Sequence, residues 1–193
     1  MIFVTVGTNE TPFDRLVEAA AELPGTEDVL VQYGSSRTPF GRGDWRDFLA
    51  FEAMEAAMRD ARVVVTHAGT GSILLAHKCG RRPIVMPRLR ALGEAVDDHQ
   101  LTLAHRLAGT GTVTVVETTA ELIRAVGAVA AAPTLAALPG PLRPAATVAL
   151  AKELERYLAA IVNRKAGAAS LPRLRIADTT RRTSPSRATN RST

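Results

Sequence analysis

Short apolar runs alternate with helical patterns along this chain, and the alternation restricts its possible folds more than any other feature. The runs lie at 2–6, 29–33, 62–66, 83–86 and 113–116. Six helical patterns are visible: one begins at Pro12, one covers 48–60, one ends near Cys79, and three cover 99–107, 119–131 and 144–161. Strands alternating with helices predict an α/β fold, a Rossmann-like parallel sheet with helices on both faces. We expect a Gly/Pro-containing loop at 34–44.

The positive charge of the chain lies at its C-terminal end. The formal net charge is +5, but eight Lys/Arg and one acidic residue fall in 163–193, leaving 16 basic and 18 acidic residues in 1–162. We predict a folded domain at 1–162 and a basic, Ser/Thr/Arg-rich, disordered tail at 163–193. Because the domain itself is slightly acidic, only the tail favours nucleic-acid binding, and we expect none.

The chain has few features of an exported or membrane-spanning protein. Its single cysteine, Cys79, cannot form an intrachain disulfide. No basic leader precedes the apolar run at 2–6, and no uninterrupted apolar stretch reaches the ~20 residues that a membrane span requires. We expect a cytoplasmic protein.

Two glycine-containing turns follow predicted strands. Gly7-Thr8 ends the first, and His67-Ala68-Gly69-Thr70-Gly71-Ser72 links the third to a helix. Glycines let main-chain N–H groups approach a ligand closely, and a helix N-terminus attracts anions. We interpret the second turn as a diphosphate cradle, with Gly7-Thr8 beside it. The alternative is a strand-to-helix turn whose glycines only relieve crowding.

The segment 88–100 is the most polar loop of the predicted domain. Its carboxylate, imidazole and amide groups at Asp98, His99 and Gln100 suit sugar hydroxyls, each of which both donates and accepts a hydrogen bond. Alternatively, Asp97 or Asp98 caps the helix that follows. The Arg88 guanidinium either neutralises a phosphate, which we favour, or is solvated.

Several other kinds of site fit the sequence poorly. A dinucleotide site requires a third glycine and an acidic residue after the next strand, where Pro87-Arg88 stands instead. The lysine of a P-loop and the G-x-S-x-G nucleophile elbow are both missing from the turn at 67–72. The four histidines lack tight metal-ligand spacing. We therefore expect neither a cofactor nor a bound metal.

Five ordered motifs resemble the C-terminal domain of glycosyltransferase family 28 over roughly residues 1–130. They lie at 4–8, 31–34, 64–72, 82–88 and 93–100. The similar members are stand-alone versions, such as the catalytic subunit of a two-part dolichol-diphosphate N-acetylglucosaminyltransferase and bacterial exopolysaccharide or capsule transferase subunits. The resemblance implies the C-terminal half of a GT-B enzyme, which binds a UDP-sugar and transfers the hexose with inversion and without an obligatory metal.

The resemblance also implies roles for individual residues. In the family, the His-Ala-Gly-x-Gly-Ser turn lies at the diphosphate and the Asp-His-Gln segment contacts the donor sugar. The segment before the third strand lies near the uracil, which would place Phe48 to Phe51 there. The implied donor-binding set is Gly7, Thr8, Phe51, His67, Gly69, Thr70, Gly71, Ser72, Arg88, Asp98, His99 and Gln100. The catalytic residue is unassigned, with His67, His99 and Glu94 as candidates.

A GT-B site closes between two domains, and this chain has the length of one. The resemblance therefore implies a membrane-anchored partner subunit that holds a lipid-diphosphate-linked saccharide and recruits the chain to the inner face of the membrane. Residue 95 is alanine where bacterial relatives would carry histidine. This departure leaves open a second hypothesis, a non-catalytic nucleotide-sugar-binding or regulatory subunit.

Overall fold

The structure, a computed structural model, describes residues 1–25, 27–37 and 42–132. Its strands are β1 (Ile2–Thr5), β2 (Val29–Gln32), β3 (Asp44–Arg46), β4 (Val63–His67), β5 (Ile84–Met86) and β6 (Thr114–Val115). Its α-helices are α1 (Asp14–Ala21), α2 (Phe51–Asp60), α3 (Thr70–Lys78), α4 (His99–Gly109) and α5 (Thr119–Ala131), and a 3-10 turn spans Arg90–Leu92.

The described strands form one parallel sheet in the order β3-β2-β1-β4-β5-β6. The chain progresses from β1 towards β3, then crosses back to place β4 on the other side of β1. Ligands of such open sheets bind at the carboxyl ends of the strands, where the order reverses. Here that point lies between the ends of β1 and β4, at the predicted turns 7–8 and 67–72.

Apolar side chains cover both faces of the sheet. Ile2, Val4 and Val6 pack in one cluster with residues of α1 and α5. Phe3 belongs to the opposite cluster with residues of α2 and α3, and a third cluster joins α3 and α4 to β5. Because successive side chains of a strand point to opposite faces, the apolar run of β1 is buried on both sides. The predicted fold is confirmed.

The secondary structure differs from the predictions in one element. No strand was predicted between the expected loop at 34–44 and the helix that follows, but Asp44–Arg46 form strand β3 at the sheet edge. Asp44 and Arg46 are exposed and only Trp45 is half-buried, so this strand has no apolar run. Helix α5 begins as predicted, because a capping box between Thr118 and Glu121 satisfies its first N–H groups.

Two predicted segments, the helix at 144–161 and the tail at 163–193, lie outside the described residues, as does the predicted domain boundary at 162. Within the part of the chain that the structure describes, no helix has both the length and the apolar character that a bilayer span needs.

Candidate functional site

A cavity of 340 Å³ opens where the strand order reverses. It is lined by Gly7, Thr8, Phe51, Met54, His67, Gly69, Gly71, Ser72 and Leu75. Seven of these belong to the predicted donor-binding set, whereas Met54 and Leu75 were not predicted. The apolar faces of α2 and α3 carry these two residues, and only the packing of the helices shows that they border a cavity.

Two other cavities give the site its context. A neighbouring cavity of 270 Å³ shares Gly7 and Thr8 and is otherwise lined by Asn9, Glu10, Gln32, Gly34, Ser35, Asp47 and Phe48. A larger cavity, of 410 Å³, lies at the opposite edge, where Val29 and Asp44 begin their strands. No predicted site residue lines that larger cavity, and ligands of parallel sheets bind at the carboxyl edge.

Buried polar side chains hold the turn after β1 in place. The Thr5 hydroxyl donates to Oε1 of Gln32 and accepts the Gly7 N–H at 3.1 Å. Nε2 of Gln32 donates to the Gly7 carbonyl at 3.2 Å. Both side chains are fully buried. Sequence reasoning missed these two positioning residues, because each looks like an ordinary polar residue at the end of an apolar strand.

The His67 ring lies between two glycines. A Cβ added to Gly7 would lie 2.3 Å from His67 Cε1, and one added to Gly69 would lie 2.1 Å from His67 Nε2. Gly7 also has a φ of +79°, which disfavours any other residue. At these two positions the missing Cβ leaves room for the imidazole, which at Gly69 agrees with the crowding alternative.

Gly71 has a different environment. A Cβ at this position would meet no atom within 4 Å, and its φ is not positive. Gly71 belongs to the first turn of α3, whose N-cap, Gly69, provides no side-chain hydrogen bond. The first N–H groups of a helix lack partners within the helix. The first turn of α3 is thus uncapped by any side chain and has open space at Gly71, two features that an anion cradle requires.

The His67 imidazole is neutral near pH 7. Burial lowers its pKa to about 4, with a further contribution from the nearby Arg88 guanidinium, while a hydrogen bond with the Thr5 main chain opposes the shift. The Thr66 hydroxyl lies 3.4 Å from its Nδ1. A neutral ring can donate and accept hydrogen bonds but supplies no positive charge to a phosphate.

The predicted sugar-reading residues lie at the start of α4, on the same sheet edge as His67. Gln100 Oε1 accepts the Arg88 N–H at 3.3 Å, and β5 pairs with β4 through Met86 and His67. Asp98 Oδ1 accepts a hydrogen bond from the Arg90 N–H at 3.3 Å. The residues 98–100 are therefore near the turn at 67–72, although none of them lines the 340 Å³ cavity.

The imidazole of His99 contacts Asp97, a residue that was expected only to cap the helix. Asp97 Oδ1 accepts the His99 main-chain N–H at 3.0 Å and also contacts Nδ1 of the same residue. Asp98 occupies the N-cap position but makes no side-chain capping bond. Of the two predicted caps, Asp97 makes the hydrogen bond to the first turn and also orients the imidazole.

Arg88, which was predicted to neutralise a phosphate, is bonded within the protein instead of being open to solvent. Its side chain is fully buried, and its guanidinium lies 4.6 Å from the Phe13 ring centroid. Its terminal nitrogens donate to main-chain carbonyls of Val6, Thr11, Pro12 and Glu94 over 2.8–3.2 Å. These bonds tie the loop after β5 to the loop after β1, so Arg88 positions the edge of the site.

Glu94, a candidate catalytic residue, lies in a buried ion pair. Arg15 donates to Glu94 Oε1 at 2.9 Å and to Oε2 at 2.8 Å, and the Leu89 N–H donates to Oε2 at 2.9 Å. Only 9% of the Glu94 side chain is exposed. Both carboxylate oxygens therefore have partners within the protein and hold the loop in place, although Glu94 also borders a separate cavity of 260 Å³.

Phe51 and Thr70 are the remaining predicted donor-binding residues, and they differ in their position relative to the cavity. Phe51 is 58% exposed at the cavity, as a planar ligand group would require, whereas Thr70 does not line it. Among the described residues, no group of three or more His, Cys, Asp or Glu side chains could hold a metal ion. Independence from metal remains a prediction.

The order of the sheet and the cavity at its switch point define a Rossmann-like α/β domain, a fold that is also found in solved GT-B glycosyltransferases. More particularly, the chain belongs to glycosyltransferase family 28, whose C-terminal domain it matches over residues 1–138. The family resemblance expected from the five motifs is confirmed.

Individual relatives agree with this assignment. The UDP-N-acetylglucosamine transferase subunit ALG13 of Yarrowia lipolytica (strain CLIB 122 / E 150) is 30% identical over an alignment of 123 positions, and the match covers 55% of this chain and 60% of that protein. The chain thus spans less than two thirds of this relative's length.

Solved structures resemble the fold at lower identity. CalG4, the calicheamicin glycosyltransferase, superposes with a TM-score of 0.54 at 19% identity, over 83% of this chain and 43% of CalG4. A glycotransferase of kitacinnamycin gives a TM-score of 0.49 at 21% identity, over 85% of this chain and 43% of its own.

Proposed function

We propose that this chain is the donor-binding subunit of a UDP-sugar-dependent hexosyltransferase. The observation that carries the proposal is the open N-terminus of α3, where Gly71 and Ser72 border a cavity also lined by Gly7 and Thr8. Main-chain N–H groups at this end suit a diphosphate, and the nucleoside would extend along the cavity. UDP is the donor nucleotide named in the relative ALG13.

The chemistry required of this site is stabilisation of a leaving group. In the transfer, the bond between the sugar C1 and the diphosphate oxygen breaks while the acceptor hydroxyl oxygen bonds to C1 from the opposite face. UDP departs with the electron pair, and the acceptor proton passes to a base. Negative charge develops on the departing oxygen, and preorganised N–H donors at α3 stabilise it.

The proposed acceptor and base are supplied from outside the described residues. We propose a lipid-diphosphate-linked saccharide, held by a membrane-anchored partner subunit that completes the cleft at the inner membrane face. The chain covers only 43% of CalG4, the structure whose fold it shares. Glu94 is engaged by Arg15, which supports a base on the partner. Asp98, His99 and Gln100 are proposed to bind the hexose hydroxyls.

Substitution of the diphosphate and hexose contacts tests this proposal. We expect Ser72→Ala and His99→Ala each to lower hexose transfer by about 10²–10³, the usual cost of one transition-state contact. The measurement is transfer from a panel of UDP-hexoses to endogenous lipid acceptors, in membranes of the native cells supplemented with the full chain. Circular dichroism should show unchanged folding.

His105→Ala is the matched control for His99→Ala. His105 lies on the same helix, is mostly exposed and pairs with Glu117, away from the cavity. Its variant should transfer at the wild-type rate. Wild-type rates in both Ser72→Ala and His99→Ala would refute the site assignment.

The second candidate is a non-catalytic nucleotide-sugar-binding or regulatory subunit. The observation that favours it is the burial of Glu94 in an ion pair beside Ala95, which leaves the loop without that acidic group for catalysis. UDP binding, measured by calorimetry, is expected under both functions. Product formation that is lost in Gln100→Ala supports a catalytic subunit. Full hexose transfer in the absence of the chain supports a non-catalytic, regulatory subunit.

A further inference from the structure

The helices that border the site, α2 and α3, line it with apolar side chains. Phe51 and Met54 from α2 and Leu75 from α3 form this apolar wall. Leu75 is 8% exposed, Met54 is half-buried and Phe51 is largely exposed. Of the lining residues that the structure describes in this 340 Å³ cavity, none is Asp or Glu.

The polar groups of the cavity lie at its other end. Thr8 and Ser72 belong to the two turns at the sheet edge, which the diphosphate would occupy. The His67 ring fills the space between Gly7 and Gly69. A nucleoside that extends from a diphosphate at Ser72 along α3 therefore meets the side chains of Leu75, Met54 and Phe51.

Sites that select ribose commonly place a carboxylate on the ribose 2′-hydroxyl. A hydrogen bond to a charged group contributes about ten- to a hundred-fold in affinity, because the unpaired group left by an analogue is costly. Apolar walls discriminate weakly between ligands that differ by one hydroxyl or one methyl group. An apolar wall at the position of the ribose thus removes the usual basis for rejecting a 2′-deoxynucleotide.

We propose that this chain does not require the ribose 2′-hydroxyl, so that 2′-deoxyribonucleoside diphosphates bind about as well as UDP. The apolar wall would also accept the 5-methyl group of thymine, which makes dTDP-sugars a second class of donor. This inference rests on the proposed function, since it takes the cavity to hold the nucleoside of a donor.

The neighbouring 270 Å³ cavity offers the opposite arrangement. It contains Glu10 and Asp47, and Asp47 Oδ1 accepts the Phe48 N–H at 2.7 Å. A nucleoside placed there would have carboxylates within its cavity and would select ribose. The affinity for 2′-deoxy-UDP therefore distinguishes the two placements.

Calorimetric titration of the full chain with UDP, 2′-deoxy-UDP and dTDP tests the inference. We expect the three dissociation constants to agree within about fivefold, below the effect of one lost charged hydrogen bond. A fivefold or larger preference for UDP over 2′-deoxy-UDP overturns the inference. If Asp47→Asn then removes that preference, the ribose lies in the neighbouring cavity.

A gain of selectivity provides the second measurement. Leu75→Glu places a carboxylate on the apolar wall, and Met54→Glu does so at a less buried position. At least one of them should favour UDP over 2′-deoxy-UDP by about tenfold or more. Leu74→Glu is the matched control, since Leu74 is 42% exposed on the same helix and does not line the cavity.

The outcomes separate this inference from the proposed function. Absence of binding by all three nucleotides contradicts the proposed donor site itself. Tight binding of UDP with weak binding of 2′-deoxy-UDP leaves the donor site intact and overturns only the tolerance for deoxyribose. Selectivity that stays unchanged in folded Leu75→Glu and Met54→Glu also overturns it, because the ribose would then lie elsewhere.

Discussion

Two loops at the carboxyl edge of the sheet look equally suited to bind a ligand in the sequence, but the structure builds them in opposite ways. The turn after β4, at 68–72, is made of small residues and leaves the N-terminus of α3 uncapped by any side chain. The loop after β5, at 87–98, is filled by charged side chains that bond to the protein itself. Arg88 donates to four carbonyls, and Glu94 pairs with Arg15.

The difference separates binding groups from positioning groups. A main-chain cradle has to remain open, so its residues are small and its donors are unsatisfied within the protein. A loop with little regular secondary structure needs other hydrogen bonds to hold its shape, and the buried Arg88 and the half-buried Arg15 provide them here. We conclude that charge at a ligand edge indicates a ligand contact only where the charged group is accessible.

The largest effect should come from Arg88. Arg88→Met leaves carbonyls of Val6, Thr11, Pro12 and Glu94 without a donor, so we expect the free energy of unfolding to fall by about 3–5 kcal/mol. Urea unfolding followed by circular dichroism measures it. Arg88→Lys keeps the charge without the planar set of donors and should still destabilise the chain.

Arg90→Met is the control for Arg88→Met, since Arg90 is an exposed arginine of the same loop. Its unfolding free energy should change by less than about 0.5 kcal/mol. Unchanged stability of Arg88→Met together with weaker UDP binding would restore Arg88 as a phosphate ligand, and the contrast between the two loops would fail.

Glu94 provides the next largest effect. Glu94→Gln removes the charge that faces Arg15 and should cost about 2–3 kcal/mol of unfolding free energy. Hexose transfer per folded molecule, measured below the unfolding temperature, should remain close to wild type. A catalytic Glu94 would give the reverse result, unchanged stability and transfer reduced by about 10² or more.

A double-mutant cycle shows whether the Arg15–Glu94 contact itself is responsible. Arg15→Met combined with Glu94→Gln should cost less than the sum of the two single substitutions, because each single variant leaves a buried polar partner unpaired. Additive costs would mean that the two residues act independently, contrary to their paired geometry.

The elements that could be predicted from sequence are those buried on both faces. The apolar run of β4 indicates a central strand because no other arrangement buries it so fully. β3 could not be predicted in this way, since its exposed Asp44 and Arg46 flank a single half-buried Trp45. Edge strands are paired on one side only, so their sequences carry a weaker signal.

The site, too, has features that could be predicted from the sequence and features that could not. The turn at 67–72 could be predicted because strand, glycines and helix follow one another along the chain. The roles of Arg88 and Glu94 depend on partners far away in sequence, such as Val6, 82 residues from Arg88, and Arg15, 79 residues from Glu94. Only the three-dimensional packing brings these groups together. The sequence shows the charges of Arg88 and Glu94 but not their partners, and a charge without a visible partner is readily interpreted as a ligand contact.

The smallest effect on stability, and the sharpest test of the open cradle, comes from Gly71→Ala. Alanine replaces glycine in the first turn of α3 without contact or strain, so the unfolding free energy should rise by about 0.5–1 kcal/mol. The same methyl group enters the open space beside the first turn of α3, where we propose that the diphosphate binds. UDP affinity, measured by calorimetry, should therefore fall by about tenfold or more.

Gly127→Ala gives this experiment its control. Gly127 lies within α5, and a Cβ there also meets nothing within 4 Å. It does not line the 340 Å³ cavity. Its variant should show a similar gain in stability with unchanged UDP affinity. If Gly71→Ala is stabilised to the same extent and binds UDP as tightly as the wild type, the diphosphate does not approach α3 at Gly71. The turn after β4 would then have no greater access to a ligand than the loop after β5.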